Sequence, residues 1–203
     1  MILCESEIAE ALVSEREEDR LVVTPLIDPR HQFGPASIDV RLGTDFAILE
    51  TGKFSHISTQ ETRKQLRHQL EHYVKKVRLE PNEIFYLHPG DFALASTLEY
   101  LQLPPSLAAR IEGRSSWGRL GLIVHATAGY IDPGFSGVIT YELTNAGKVP
   151  IGLKPGLRIG QICFVRMSRA AAVPYGAKAT KKYQWATGVQ GSRIYQDPEI
   201  LDE

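Results

Sequence analysis

Glycine and proline cut this chain into short pieces, and that spacing constrains the fold more than any other feature. Across 203 residues there are 17 Gly and 12 Pro. Between them lie short apolar runs rich in Val, Ile, Thr, Phe and Tyr: Leu21–Thr24, Ser37–Leu42, Phe46–Leu49, Ile84–Leu87, Phe92–Thr97, Ala108–Glu112, Leu122–Ala126, Gly137–Asn145 and Gln161–Val165. Turn signals bound them, among them His88-Pro89-Gly90-Asp91, Asp132-Pro133-Gly134 and Lys154-Pro155-Gly156. Many short strands at this spacing predict a mainly β sandwich, jelly roll or barrel rather than βαβ units. One short helix is expected around Ser6–Val13, and no internal repeat or low-complexity tract is visible.

A hydrophobic fraction of 43% supplies one sizeable core, so the expectation is a single domain over residues 1–203. Lys+Arg and Asp+Glu nearly balance, 23 against 24. That argues against binding nucleic acid by bulk electrostatics, although a locally basic groove stays open. No apolar run approaches the length of a membrane-spanning helix. Met1–Glu7 has no basic region followed by an apolar stretch, so no secretory leader is expected and a cytoplasmic location is the working expectation. The only cysteines, Cys4 and Cys163, form no disulfide framework and no C-x-x-C knuckle, which excludes a Cys-ligated zinc centre. Cys163, within Ile162-Cys163-Phe164-Val165, reads as a small buried hydrophobe.

One segment departs from the strand pattern. Residues 61–80 hold no Gly or Pro, and Leu66, Leu70, Tyr73, Val74 and Val77 recur at helical spacing. The segment predicts an inserted amphipathic helix carrying Arg63, Lys64, Arg67, Lys75, Lys76 and Arg78. A solvated basic face is the ordinary reading of such a charge run, with a nucleic-acid- or partner-binding helix as the alternative. His68-Gln69-Leu70-Glu71-His72 matches the H-x-x-E-H metalloprotease pattern. A lysine-rich surface helix without a further ligand points instead to two exposed histidines. The stretch 175–203 is polar, basic and Gly-interrupted, which suits a lid over an anionic ligand or an ordinary frayed tail.

Two constellations could carry chemistry. Glu112-Gly113-Arg114-Ser115-Ser116-Trp117-Gly118-Arg119-Leu120-Gly121 lacks the G-K-[ST] of a Walker loop. Its glycines, serines and two arginines suit a phosphate chain all the same, as they suit a surface turn. In Val138–Asn145, alternation puts Ile139, Tyr141 and Leu143 on one strand face and Thr140, Glu142 and Thr144 on the other. Glu142 is then either a solvent-facing carboxylate or, if that face lines a closed site, a proton-transfer group. His125, flanked by apolar residues, is expected to be a hydrogen-bonded core histidine.

With these motifs in order, the chain resembles the dCTP deaminase family of the dUTPase superfamily over nearly its full length. The matching stretches are Pro35-Ala36-Ser37-Ile38-Asp39-Val40-Arg41-Leu42-Gly43, Leu87-His88-Pro89-Gly90, Gly113–Ser116 through Gly121, and Thr127–Gly137. Gly160-Gln161, Pro174-Tyr175-Gly176, Lys182-Tyr183 and Ser192-Arg193 complete them. The resemblance implies a distorted β-barrel or jelly roll of the dUTPase type with a few short helices, assembled as a homotrimer with sites between subunits. It implies zinc-independent deamination of dCTP, in keeping with the missing H-x-E…P-C-x-x-C signature. Glu142 would be the general acid/base, with Ser115 and Arg119 positioning it and the attacking water. Arg114, Ser115 and Ser116 would hold the phosphates, with Trp117, Gly118 and Gln161 among the substrate contacts and Mg²⁺ carried on the triphosphate. Asp132 would meet the deoxyribose, and backbone around Thr140, Tyr141 and Glu142 would read the base. Tyr175 and Lys182 would close over the triphosphate from a C-terminal lid.

Within the family, the pair Gly129-Tyr130 is similar to the Gly-aromatic pair of the dUMP-forming enzymes, where monofunctional members carry His-Arg. A glycine leaves room for a second water near the α-phosphate, and Gln161 points the same way, so the expected product is dUMP for thymidylate synthesis. A monofunctional deaminase giving dUTP, a dUTPase and a non-catalytic nucleotide-binding module remain the alternatives. One departure stands out: Ala186 occupies the position where the family usually has a substrate-touching glutamine, so either Gln184 or Gln190 replaces it from another position or substrate closure differs.

Overall fold

The computed structural model describes residues 1–50, 52, 55–178 and 180–202. Helix α1 (Glu5–Leu12) is followed by β1 (Val22–Thr24), α2 (Pro29–Gln32), β2 (Phe33–Gly34) and the long β3 (Ser37–Leu49). Next come α3 (Arg63–Tyr73), β4 (Val74–Arg78), β5 (Phe85–Leu87), β6 (Phe92–Gln102), β7 (Leu107–Gly113) and α4 (Ser115–Gly118). Then β8 (Leu122–Ile123), β9 (Tyr130–Ile131), β10 (Ser136–Asn145), β11 (Ile151–Leu153) and β12 (Arg158–Arg166) complete the fold. The mainly β expectation holds. Among the described residues, ten strands form one curled sheet with the path β8-β10-β6-β3-β12-β7-β9, and β5 pairs β11 in a second.

The curl originates in β3. The two runs predicted there, Ser37–Leu42 and Phe46–Leu49, are one continuous strand. Its first half pairs β12, its second half pairs β6 and β4, and the β6 register shifts between Leu42 and Phe46. Gly43 sits at that bend. A Cβ there would lie 2.7 Å from Ser96 Oγ and 3.0 Å from the Ser96 and Thr97 carbonyl oxygens, so only glycine lets β3 and β6 approach this closely. The concave side holds the core, with Ile38, Val40, Leu42, Phe46, Leu101, Tyr141, Leu143 and Phe164 buried. Burying each such side chain contributes about 1.5–3 kcal/mol.

Behind the bend lies a buried ion pair. Glu99 Oε1 accepts from Arg41 Nη1 at 3.0 Å and from Gln32 Nε2 at 3.1 Å, and its Oε2 accepts from the Arg41 N–H at 2.7 Å. Burial pushes the Glu99 carboxyl up from its ordinary value, and the hydrogen bonds and charge of Arg41 oppose that rise.

The inserted helix expected over 61–80 requires correction. It ends at Tyr73, and Val74–Arg78 becomes strand β4, pairing Val74↔Leu49 through Arg78↔Asp45. Thr62 opens the helix with a reciprocal cap: Gln65 N–H donates to Thr62 Oγ1 at 3.4 Å, and Thr62 N–H donates to Gln65 Oε1 at 3.1 Å. The second half of β3 would otherwise present unpaired backbone groups along one edge. The β-branched Val74 and Val77 suit the strand that pairs them. The basic residues are thereby divided between α3 and an edge strand, where Lys75 and Lys76 discourage further strand pairing. His68 and His72 are exposed on α3, as expected.

Two further expectations change. Cys163 is half-buried, because strand alternation sends Ile162 and Phe164 into the core and Cys163 to the other face. His125 is partly buried, and its Nδ1 has no hydrogen-bond partner among the described residues. The C-terminal stretch is packed rather than frayed, with Ala179 and Glu203 outside the described residues. It runs parallel to the start of β10: Trp185 N–H donates to Ser136 O at 2.7 Å and Val138 N–H to Ala186 O at 2.9 Å.

Candidate active site

A cavity of about 650 Å³ lies between the outer face of β10 and the C-terminal tail. Strand alternation supplies its chemistry. Thr140 and Glu142 line it, while the Tyr141 side chain points into the core, where its hydroxyl donates to Val40 O at 3.4 Å. Of the substrate-contact role expected for Tyr141, only its backbone is in a position to take part. Asp132 and Tyr130 line the same cavity, as does Tyr175 from the tail. Much of the remaining wall is apolar and was not legible as a site in the sequence: Leu70, Tyr73, Val74, Phe92, Leu94 and Ile139.

Among the described residues, Glu142 is fixed on one side only. Its Oε2 accepts from the Ala126 N–H at 2.8 Å, and its own N–H donates to Val124 O at 3.0 Å. The second carboxylate oxygen is left for other partners. A carboxylate oriented by a backbone donor inside a largely apolar cavity is equipped to exchange protons with a ligand.

Gly129 is buried where the chain turns from His125 toward β9, and the neighbouring Tyr130 is 57% exposed. A Cβ on Gly129 would stand 2.9 Å from Ile111 O and 3.0 Å from His125 Cε1. Any side chain there must displace the imidazole. His125 Nε2 in turn lies 3.6 Å from Glu112 Oε2.

The glycine- and arginine-rich stretch forms a separate group, outside the cavity lining. Arg114 precedes the single turn α4, and its Nε lies 3.1 Å from Asp39 Oδ2 while its Nη1 donates to Arg158 O at 3.0 Å. Trp117 Nε1 donates to the same carbonyl at 3.0 Å. Ser115, Ser116, Gly118 and Arg119 are exposed. Gln161 also belongs here, with Ser37 Oγ 3.2 Å from its Oε1. Asp39 and Arg158, 3.4 Å apart, were not singled out as site residues from the sequence. Burial raises the Asp39 carboxyl from its ordinary value, and Arg114, Arg158 and Arg41 oppose the rise. The signal for Asp39 was its place in the Ser37–Leu42 motif; Arg158 carried none. Among the described residues, no group of three or more His, Cys, Asp or Glu side chains is placed to hold a metal ion.

The tail supplies the cover. The Tyr175 hydroxyl accepts from the N–H groups of Lys182 and Tyr183, both at 3.1 Å. Lys182 does not line the cavity, and its ammonium pairs with Asp197. Ala186 is buried against Gly137. Both ends of the Gln184 amide are occupied by backbone, Oε1 by Ser136 N–H and Nε2 by Gly134 O, each at 3.1 Å. Gln190 lines the cavity, with its N–H donating to Thr140 Oγ1 at 3.2 Å. Of the two candidate replacements for the missing glutamine, Gln190 is the one at the cavity.

Residues 2–167 match the model of the dCTP deaminase-like family. A protein of Natronomonas pharaonis named dCTP deaminase is 45% identical over 200 residues, covering 98% of each chain. A protein of Dictyoglomus thermophilum named dCTP deaminase, dUMP-forming, is 44% identical over 198 residues, covering 97% of this chain and 96% of its own. Among solved structures, the 2'-deoxycytidine 5'-triphosphate deaminase of Agrobacterium tumefaciens aligns with a TM-score of 0.59 at 26% identity. That match covers 80% of this chain, which spans 46% of the Agrobacterium chain.

Proposed function

The chain belongs to the dCTP deaminase-like family, and from that premise we propose that it deaminates dCTP without zinc and carries the product on to dUMP and pyrophosphate. The observation that carries the first step is Glu142, oriented by the Ala126 N–H within the cavity. A water held against the free carboxylate oxygen attacks C4 of the cytosine ring as Glu142 takes its proton. The carboxyl returns that proton to N3, then takes the proton of the new C4 hydroxyl and delivers it to the amine, so that C4=O forms as the C4–N bond breaks and dCTP and water give dUTP and ammonia. Thr140 and the neighbouring backbone face the base, and Asp132 meets the sugar.

The substrate is the Mg²⁺ complex of the nucleotide, with the ion on the triphosphate. Arg114, Ser115, Ser116 and Arg119 receive that phosphate chain. Asp39 and the Arg158 carbonyl hold the Arg114 guanidinium, which preserves its remaining donors for an anion. In one chain this group and the Glu142 cavity share no lining. Leu120, Ile123 and Tyr130 are exposed apolar groups near them, at 60%, 42% and 57%. Both features support a homotrimer in which one subunit's rim completes its neighbour's cavity.

The second step rests on Gly129. A larger residue there would press on Ile111 O and the His125 imidazole. With glycine the loop keeps its course beside Ala128 and Tyr130 at the cavity, from which a second water is directed at the α-phosphate. Water attack there breaks the α–β phosphoanhydride and gives dUMP and pyrophosphate.

The test is anion-exchange chromatography of a dCTP and Mg²⁺ reaction stopped at several times, beside a reaction with dUTP alone. Direct appearance of dUMP and pyrophosphate without free dUTP is the expected result. Accumulating dUTP would limit the activity to deamination, dUTP hydrolysis without dCTP turnover would make the protein a dUTPase, and tight binding without turnover would make it a nucleotide-binding module.

A further inference from the structure

The inserted helix α3 packs against the far end of the tail. Leu66 and Leu70 are buried with Ile200, and Ile194 and Tyr195 pack on the same cluster. Arg63, the first residue of α3, reaches the tail at several points. Its Nε donates to Ile200 O at 3.3 Å and its Nη2 to Asp197 O at 3.3 Å, while the Asp202 carboxylate lies 2.6 Å from Nε. Its backbone N–H, an orphan donor of the first helical turn, donates to Leu201 O at 3.0 Å. The Arg67 guanidinium stands 5.9 Å over the Tyr195 ring.

The same tail already neutralises its own cation. The Lys182 ammonium pairs with the Asp197 carboxylate, with the two side chains 21% and 37% exposed. The Lys182 carbonyl accepts from Arg193 Nη1, and the Arg193 N–H donates to the Tyr183 hydroxyl at 3.1 Å. Lys182 is thus held by a carboxylate whose own backbone carbonyl is tied to α3.

We infer that α3 is the anchor of the C-terminal tail and that Asp197 is its latch, holding Lys182 and yielding it to a phosphate chain. A polyphosphate carries several charged acceptors where Asp197 offers one carboxylate, so the exchange of partners favours the anion. Arg63 is a positioning residue that acts through the tail. The latch rests on the nucleotide-binding reading above, whereas the anchor does not.

Hydrogen exchange over residues 194–202, measured without nucleotide, reads the anchor. Arg63→Ala should speed exchange there about tenfold or more, since charged hydrogen bonds tie the segment down. Arg63→Lys should recover only part, because the single nitrogen of an ammonium does not reproduce the planar spread of Nε and Nη2 that reaches the two carbonyls. Unchanged exchange in Arg63→Ala overturns the anchor. Asp197→Asn reads the latch, since it keeps the backbone carbonyl that Arg63 holds. It should tighten binding of Mg²⁺-dCTP by up to about fivefold, where a merely structural ion pair would make the variant bind more weakly. Unchanged or weaker binding overturns the latch. A parallel titration with Mg²⁺-tripolyphosphate separates this from the deaminase reading. Tighter tripolyphosphate binding in Asp197→Asn with no dCTP turnover by the native protein would keep the latch and remove the deaminase. No response of the native protein to either anion would overturn the latch.

Discussion

The rim around Arg114 and the cavity around Glu142 handle charge in opposite ways. At the rim, Arg114 and Arg158 gather around the half-buried Asp39, and the serines and Arg119 beside them face solvent. In the cavity, Glu142 has one backbone donor for company and a mostly apolar wall. A region that holds a hydrated polyanion needs several fixed cations at the surface. A region that moves protons needs few competing charges and restricted water. The two regions stand on different parts of one chain and share no lining residue among those described.

The sharpest way to break this comparison is Glu142→Gln. Deamination should fall by about 10²–10⁴-fold with nucleotide binding retained, as followed by ammonia release and equilibrium titration. Retained turnover would remove Glu142 from its role. Mixing Glu142→Gln with Arg119→Ala, each poorly active alone, should restore about a quarter of the native activity after subunit exchange if each site draws on two copies. No recovery would place a whole site within one chain.

Next in size is the scaffold behind the rim. Arg41→Leu leaves Glu99 buried without its cation and should cost about 3–5 kcal/mol in denaturant unfolding. The Glu99 carboxyl is raised by burial, so the folded state favours its protonated form. The stability this group contributes is complete below the ordinary carboxylate range and is lost as pH rises through the raised value. Without Arg41 the rise is greater, so the loss in Arg41→Leu should be smallest at acid pH and grow toward neutrality. A pH-independent difference would show that the pair contributes through packing alone.

The smallest effect is a change of product rather than of rate. Gly129→His combined with Tyr130→Arg should make dUTP accumulate in the chromatographic assay while deamination continues. Unchanged dUMP output would sink the role given to Gly129. Because the added side chain must displace His125, thermal unfolding of the double variant is the companion measurement.

Much of this was legible in the sequence wherever the signal is local. Alternation in Val138–Asn145 put Glu142 opposite Tyr141, and burial alternates accordingly, although Ile139, beside the register shift between Val138 and Thr140, also lines the cavity. The strand-and-turn spacing gave the β class for the same reason: side-chain period and turn chemistry act within a few residues. The end of α3 was not legible. Val74 and Val77 fit a helical stripe, and only the open edge of β3, distant in sequence, turns Val74–Arg78 into a strand. The same holds for Arg158, whose carbonyl gathers Arg114 and Trp117 across more than forty residues of chain.

By itself, then, the sequence determined which residues alternate, where the chain turns and which motifs stand in what order. Tertiary structure alone decided that Gln190 and not Gln184 reaches the cavity, that Lys182 is already paired with Asp197, and that the inserted helix is covered by the tail. Each of these depends on which backbone donors, carboxylates and apolar faces are left unpartnered once the sheet has curled. Those vacancies come into being only with the long-range pairing that curls it.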